Sequence, residues 1–387
     1  MTLRPDYLPF GRPDFTEEEI AAVTRVLRSG WIGMGPETQA FEQELAAAVG
    51  APHVVSVNSC TSALFLSLLV HGIGPGDEVI CPSLTWCSTA NAALYLRAKP
   101  VFCDVDPRTF CITPETVRAV LTPRTKAVMV VHFGGLAVEI AALRAALPGS
   151  VAIIEDAAHA FGTRFANGRP VGSSGQATCF SFYANKNLST GEGGAVALFD
   201  QAQADRLRSL RQHALPVDAW KRFTHAQTVM LSPQLTELGY KANYTDLQAA
   251  LGRVQLRRQA VMSARRRQLA DTYLEKLRGL DDALEPQQGL ESSAHALHLF
   301  AVRVRPSLKL TRDQLLIELR RRNIGASLHY ALLHSMPLYR DDGGGARLPV
   351  TEKLGPEIMT LPISASMTIA DVGYVCEHLA ELTGPSA

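Results

Sequence analysis

The sequence predicts an α/β protein with a mostly parallel central sheet sandwiched by helices, followed by a smaller C-terminal α+β unit. Three observations carry this. Between about residues 50 and 200, short β-rich apolar runs alternate with helical stretches, the rhythm of βαβ crossovers. The run Val151-Ala152-Ile153-Ile154 has no polar interruption, as expected of a strand buried on both faces. Beyond an Arg-studded helical stretch from Gln248 to Leu277, the crossover rhythm stops and isolated strands and helices take over.

In order, the predicted crossovers pair the strand His53–Val57 with a helix at Thr61–Val70, and Glu78–Cys81 with Thr89–Leu96. Pro100–Asp104 is followed by a helix at Pro114–Leu121, Ala127–Val131 by one at Val138–Leu147, and Val151–Glu155 closes the series. Thr178–Phe182 and Gly194–Phe199 read as strands with no long helix between them, and Gln203–Gln212 returns to helix. The C-terminal part is expected to hold a strand at Leu297–Val304, a helix at Arg312–Arg322, a short strand at Ala326–Leu328 and a final helix at Ile369–Leu382. The Gly-rich segment Asp341–Ala346 reads as a loop. A chain of 387 residues exceeds one small core. The expected division is a large unit over 1–255, N-terminal segment included, and a small one over 256–387.

Composition narrows the function classes. An apolar fraction of 47% with 19% charged residues is that of a folded globular chain. A formal net charge of +1 offers no bulk attraction to nucleic acid or to an anionic membrane. The longest apolar run, around Ala63–Val70, is broken by Ser67 and His71, far short of the roughly 20 residues a spanning helix needs. The stretch Met1–Phe10 carries Arg4, Asp6 and two prolines and no apolar signal core, so a cytoplasmic location is expected. Seven cysteines show no Cys-x-x-Cys pair and no Cys/His cluster at zinc spacing. They read as buried free thiols, and no metal is expected.

Gly72, Gly74 and Gly76 follow a helix and precede a strand, the reverse of a dinucleotide-binding loop, so they are turn residues. Asn58-Ser59-Cys60-Thr61-Ser62 follows a strand and opens a helix. Such a turn can hold an anion on free N–H groups, or simply cap the helix. The strand through Ile154 ends in Glu155 and Asp156, where open parallel sheets place their ligands. A buried Asp156 needs a cationic partner unless it only caps the next helix. Lys186 stands in the uncharged segment Ser181–Asn187, before the glycine-rich turn Gly191-Glu192-Gly193-Gly194. A lysine in such surroundings is a candidate for Schiff-base chemistry, the alternative being a solvated loop lysine.

Together these segments resemble the DegT/DnrJ/EryC1/StrS family of sugar aminotransferases over nearly the whole chain. The matching stretches are Ser29-Gly30-Trp31-Ile32-Gly33, Asn58–Leu64, Gly74–Cys81, Thr122–Ala127, Ile154–His159, Ser181–Gly194, Gly239–Ala250, Leu328-His329-Tyr330 and Leu348–Lys353. The resemblance implies the fold type I of pyridoxal-phosphate-dependent transferases. It implies pyridoxal 5'-phosphate as cofactor, with pyridoxamine 5'-phosphate as its amino-carrying form. Lys186 would be the catalytic Schiff-base lysine and Asp156 the partner of the pyridine nitrogen. Trp86 would stack on the ring, with His159 beside it. Cys60, Thr61 and Ser181 would hold the phosphate. Asn243 would reach it from the neighbouring subunit, which implies a homodimer with shared active sites. Trp31, His329 and Tyr330 would face the substrate. Two positions depart from the family: Cys60 stands where glycine is usual, and Ala242 where an aromatic is usual.

The expected reaction moves an amino group from an amino-acid donor, glutamate by resemblance, to a nucleotide-linked keto-sugar by a ping-pong course. Leu84–Ala90, His132-Phe133-Gly134-Gly135 and Val217-Asp218-Ala219-Trp220 look most like members acting on UDP-4-keto sugars. Arg257, Arg258 and Arg265–Arg267 are either a phosphate-binding group or a solvated helix face. Two rivals remain. A cofactor-dependent sugar dehydratase of the same family would carry histidine at the Lys186 position. A DNA-binding regulator would need a basic stripe and a helix-turn-helix.

Overall fold

The computed structural model describes residues 3–215, 235–340 and 347–383. Two helices unassigned by the sequence patterning come first, α1 (Glu17–Ser29) and α2 (Pro36–Val49). Then follow β1 (His53–Val57), α3 (Cys60–Val70), β2 (Glu78–Pro82), α4 (Cys87–Tyr95), β3 (Lys99–Cys103), α5 (Pro114–Arg118) and β4 (Thr125–Val131). After these come α6 (Ile140–Ala146), β5 (Ala152–Asp156), β6 (Ala177–Ser181), β7 (Gly194–Leu198) and α7 (Gln201–Leu210). The seven strands form one sheet in the order β1-β7-β6-β5-β4-β2-β3. β7 runs antiparallel to β1 and β6, and the other pairings are parallel. The segment between β6 and β7 contains no helix to carry the chain back, so the strand it delivers returns antiparallel.

Alternate residues of the strands feed two cores. Ile80, Val128, Val130, Ile153 and Phe180 pack with Phe41 and Leu45 of α2. Val79, Cys81, Ala127, Met129, Ile154 and Val196 pack with Leu64, Leu66 and Leu68 of α3. Each fully buried aliphatic side chain of this kind contributes about 1.5–3 kcal/mol.

The helical stretch from 248 onward is two helices, α8 (Asp246–Arg257) and α9 (Gln259–Lys276), meeting at Arg258. The guanidinium of Arg258 is tied to Asp14 at 2.6 Å and Glu19 at 2.7 Å, which holds the junction against α1. A second sheet of three antiparallel strands has the order β10-β9-β8, from β8 (Leu284–Pro286), β9 (Phe300–Val304) and β10 (Ile358–Leu361). The expected strand from Leu297 starts only at Phe300, because Leu297 has φ 53° and leaves the extended region. Ala326–Leu328 makes only a single bridge, Ser327 to Thr360, rather than a strand. The helices α10 (Arg312–Arg321), α11 (Pro349–Leu354) and α12 (Ile369–Thr383) complete this part. Leu8 joins its core and bridges to Ile324. The segments Val217–Trp220 and Asp341–Ala346 lie outside the described residues.

Candidate active site

The motif Asn243-Tyr244-Thr245-Asp246 builds the scaffold. Gly35 precedes α2 and has no side chain with which to cap it. Asp246, 2% exposed, supplies the missing acceptor, taking hydrogen bonds from Gly35 N at 2.7 Å, Thr38 N at 3.0 Å and Thr38 Oγ at 2.7 Å. Thr245 caps its own helix α8, and the Tyr244 hydroxyl donates to Thr190 at 2.6 Å. The turn after Lys186 is thereby fastened to α8.

The C-terminal ends of β4, β5 and β6 open into a cavity of about 490 Å³. Val131, Asp156 and Ser181 reach it from the strand ends, Ser59, Cys60 and Thr61 from the start of α3, and Trp86 and Ser88 from the start of α4. Lys186 comes from the β6–β7 segment, and His298, His329 and Tyr330 come from the C-terminal part. Position 194 must be glycine for this assembly: a Cβ there would lie 2.7 Å from Cys60 N and 2.8 Å from Phe180 O. Cys60 is the first residue of α3 and is not among the residues with positive φ, so its side chain costs the turn no backbone strain. Ala242 is buried, and its carbonyl accepts from Asn58 N at 2.9 Å.

The electrostatics of the cavity are set by burial. Asp156, 6% exposed, accepts a hydrogen bond from Thr89 Oγ at 2.8 Å and one from Ala158 N at 3.2 Å. Among the described residues no cation pairs with it within 4 Å, and burial raises its pKa. Burial lowers the Lys186 ammonium to about 8, against the opposing pull of Cys60 and Asp156. Three histidines surround the lysine, and burial holds all of them neutral: His159 and His298 far below the ordinary range, His329 at about 3. His159 Nδ1 accepts from Gly134 N at 3.3 Å, so its Nε2–H donates to the Tyr330 hydroxyl at 2.8 Å. The Thr360 hydroxyl donates to Ser327 O at 3.2 Å, so it accepts at 2.8 Å from His329 Nδ1–H. At the rim, Trp86 is 61% exposed, a large indole face with little protein cover.

Lys186, Cys60, Thr61, Trp86, Asp156, His159, Ser181, His329 and Tyr330 all line this one cavity. Trp31 and Asn243 do not enter this cavity. They line a separate groove with Met34, Gln212 and Lys241. Ser88 and His298 are additional residues. Ser88 shares a 2.9 Å hydrogen bond with Thr61, and its small polar neighbourhood at a helix start is a signal that could have found it. His298 had no such signal, since it sits in an apolar run beside a strand. Four of the arginines around α8 and α9 are tied to protein groups, Arg258 at the junction to Asp14 and Glu19. Arg265 binds Met367 O, Arg266 binds Leu297 O and Ile363 O, and Arg267 pairs with Asp271. His132 is wholly buried against Glu155 at 2.8 Å, away from the cavity.

A strand-end cavity holding a desolvated lysine, a buried unpaired carboxylate and a hydroxyl-lined helix N-terminus is the arrangement of a cofactor-dependent transferase. The profile of the DegT/DnrJ/EryC1/StrS aminotransferase family matches residues 13–380, and the chain belongs to that family. The aminotransferase TlmJ from Streptoalloteichus hindustanus is similar at 34% identity, over 96% of this chain and 97% of its own, with TM-score 0.87. DesV of S. venezuelae is 32% identical over 98% of this chain and all of its own, with TM-score 0.85. The putative sugar aminotransferase Spr1654 from Streptococcus pneumoniae, solved in a PLP form, is 28% identical over 97% and 98%, with TM-score 0.89. The protein is thus a pyridoxal-phosphate-dependent aminotransferase of fold type I. Its residues fit that cofactor: a phosphate suits the hydroxyls and free N–H groups at the start of α3, and a protonated ring nitrogen suits the unpaired Asp156. No helix of the described residues is long and apolar enough to cross a membrane.

Proposed function

We propose that the protein transfers an amino group from an amino acid, glutamate first among candidates, to a nucleotide-linked keto-sugar of the UDP-4-keto class. The observation that carries the aminotransferase site is the unpaired buried Asp156 facing the same cavity as the desolvated Lys186. The sugar is supported by similarity to Spr1654 and to the sugar aminotransferase CalS13 from Micromonospora echinospora. The UDP group rests on the resemblance at Leu84–Ala90, whose Thr85, Trp86 and Ser88 line the cavity. The matching stretch at His132 is buried structure, and that at Val217–Trp220 lies outside the described residues.

In this reading Lys186 holds the cofactor and, once released, moves the proton at the substrate's amine-bearing carbon. Burial moves its pKa down to about 8, toward the free amine that this proton transfer needs. Asp156 keeps the ring nitrogen protonated. Trp86 covers the ring face, with His159 at its side. Cys60, Thr61, Ser88, Ser181 and the start of α3 hold the phosphate. Asn243 of a second subunit completes the phosphate site, which makes the enzyme a homodimer with shared sites. His329 and Tyr330 meet the substrate, and Trp31, which shares the groove of Asn243, meets it from the second subunit. The bound cofactor supplies the electron sink and carries the amino group between donor and acceptor. We place the domain boundary near residue 255, at the α8–α9 junction, so that the small domain contributes His298, His329 and Tyr330.

The test is an absorbance spectrum of the holoenzyme. Its visible cofactor band is expected to fade on adding L-glutamate and return on adding a UDP-4-keto sugar. Lys186→Ala should show neither the covalent band nor turnover. A band indifferent to glutamate rejects that donor, and normal turnover in Lys186→Ala rejects the site.

A further inference from the structure

Lys186 has a neighbour whose orientation is dictated from behind. Its Nζ lies 3.2 Å from Nε2 of His298, a ring only 3% exposed. Asn187, the residue after the lysine, donates its Nδ2–H to the Ala296 carbonyl at 2.7 Å. A carbonyl can only accept, so this bond fixes the amide with Oδ1 on the other side. That oxygen lies 3.2 Å from His298 Nδ1. Being an acceptor too, it requires the proton on Nδ1. In a neutral imidazole, Nε2 is then a lone pair, aimed at the lysine.

The surroundings keep the ring neutral. Burial, then the charges of Lys186 and Arg266, push His298 far below its ordinary range. Arg266 is itself buried and bound to two backbone carbonyls. The other titratable groups influencing the lysine are Asp156 and Cys60, and those around His298 are His159 and His329. His159 packs on His298 with ring centres 4.6 Å apart, but both its nitrogens are engaged, by Gly134 and Tyr330.

We propose that His298 is a positioning residue for Lys186, its Nε2 accepting a hydrogen bond from Nζ in a tautomer imposed by Asn187 and the Ala296 carbonyl. This rests on the reading of Lys186 as the cofactor lysine. One N–H of the amine is held in a fixed direction whenever the amine is free, which is when it must meet an aldehyde or a substrate proton. A neutral acceptor also favours the ammonium form and so opposes the desolvation of the site.

The experiment follows capture of pyridoxal phosphate by the full-length apoprotein across pH, with borohydride trapping and peptide mapping to locate the adduct. The wild-type rate should fall as pH drops below about 8, as the ammonium form takes over. Folded His298→Leu should lose about tenfold of the high-pH rate, with the inflection moved to lower pH because the ammonium has lost its acceptor. His298→Gln, which can present an amide oxygen, should recover most of the rate. An unchanged rate and inflection in His298→Leu, or an inflection moved upward, overturns the proposal. Independently, wild-type apoprotein labelled with 15N-histidine should show His298 as the Nδ1–H tautomer, and the Nε2–H tautomer overturns it whatever the variants do. A wild-type adduct at a residue other than Lys186 overturns the assignment of the lysine itself, and the positioning proposal with it. That outcome is distinguishable from a Lys186 adduct that forms without regard to His298.

Discussion

At the scale of single residues, the cavity is a set of groups whose ordinary ionisation has been altered by burial. Asp156 is the sharpest case, a buried carboxylate that neither Thr89 nor Ala158 can neutralise. Asp156→Asn keeps a side chain of the same shape; its oxygen can accept from Ala158 N while its NH2 donates to the Thr89 hydroxyl, which can turn to Thr85, so the fold should survive. It removes the charge that would face a protonated ring nitrogen. Losing one partner of a buried pair costs about 3–5 kcal/mol, so cofactor affinity should fall by about 100-fold or more, with melting of the apoprotein nearly unchanged. Equilibrium dialysis and apoprotein thermal melts separate the two effects. Equal affinity in wild type and variant would show that Asp156 meets no cation.

At the scale of elements, what was legible in the sequence is what repeats locally. The strands β1 to β7 stand out because runs such as Ile153-Ile154 are buried on both faces and carry no competing pattern. The strands β8 and β10 did not stand out. They are short, and Glu285, Pro286 and Thr360 dilute their apolar signal. Lys186 and Asp156 were legible because a charge in an apolar setting is conspicuous. His298 was not, because its role is set by Asn187 and Ala296, more than a hundred positions apart. The cap of α2 is long-range in the same way, since Asp246 serves a helix 208 residues earlier in the chain. Asp246→Ala strips the acceptor from three buried donors of Gly35 and Thr38 and should cost about 2–4 kcal/mol, read as a lower melting temperature of the apoprotein. All three donors meet the same oxygen, Oδ1, so Asp246→Asn can keep that acceptor and should recover most of that loss. Equal melting of Asp246→Ala and wild type would show that the helix start is satisfied without it.

At the scale of the whole molecule, Asn243 and Trp31 share a groove that does not open into the lysine cavity of the same chain. In the homodimer proposed above, Asn243 serves the phosphate of the partner's site. Subunit mixing tests this directly. Lys186→Ala removes the reactive amine from its own site, and Asn243→Asp places a negative charge where the partner's phosphate is expected. Each variant alone should be nearly inactive. With shared sites, a hybrid of the two concentrates both lesions in one site and leaves the other intact. Random reassortment of equal amounts yields about half hybrids, so activity should climb to about a quarter of wild type. If Asn243 acted within its own chain, every site in the hybrid would carry one lesion and mixing would restore nothing. Refolding the two variants together, then comparing turnover with that of each refolded alone, distinguishes these arrangements.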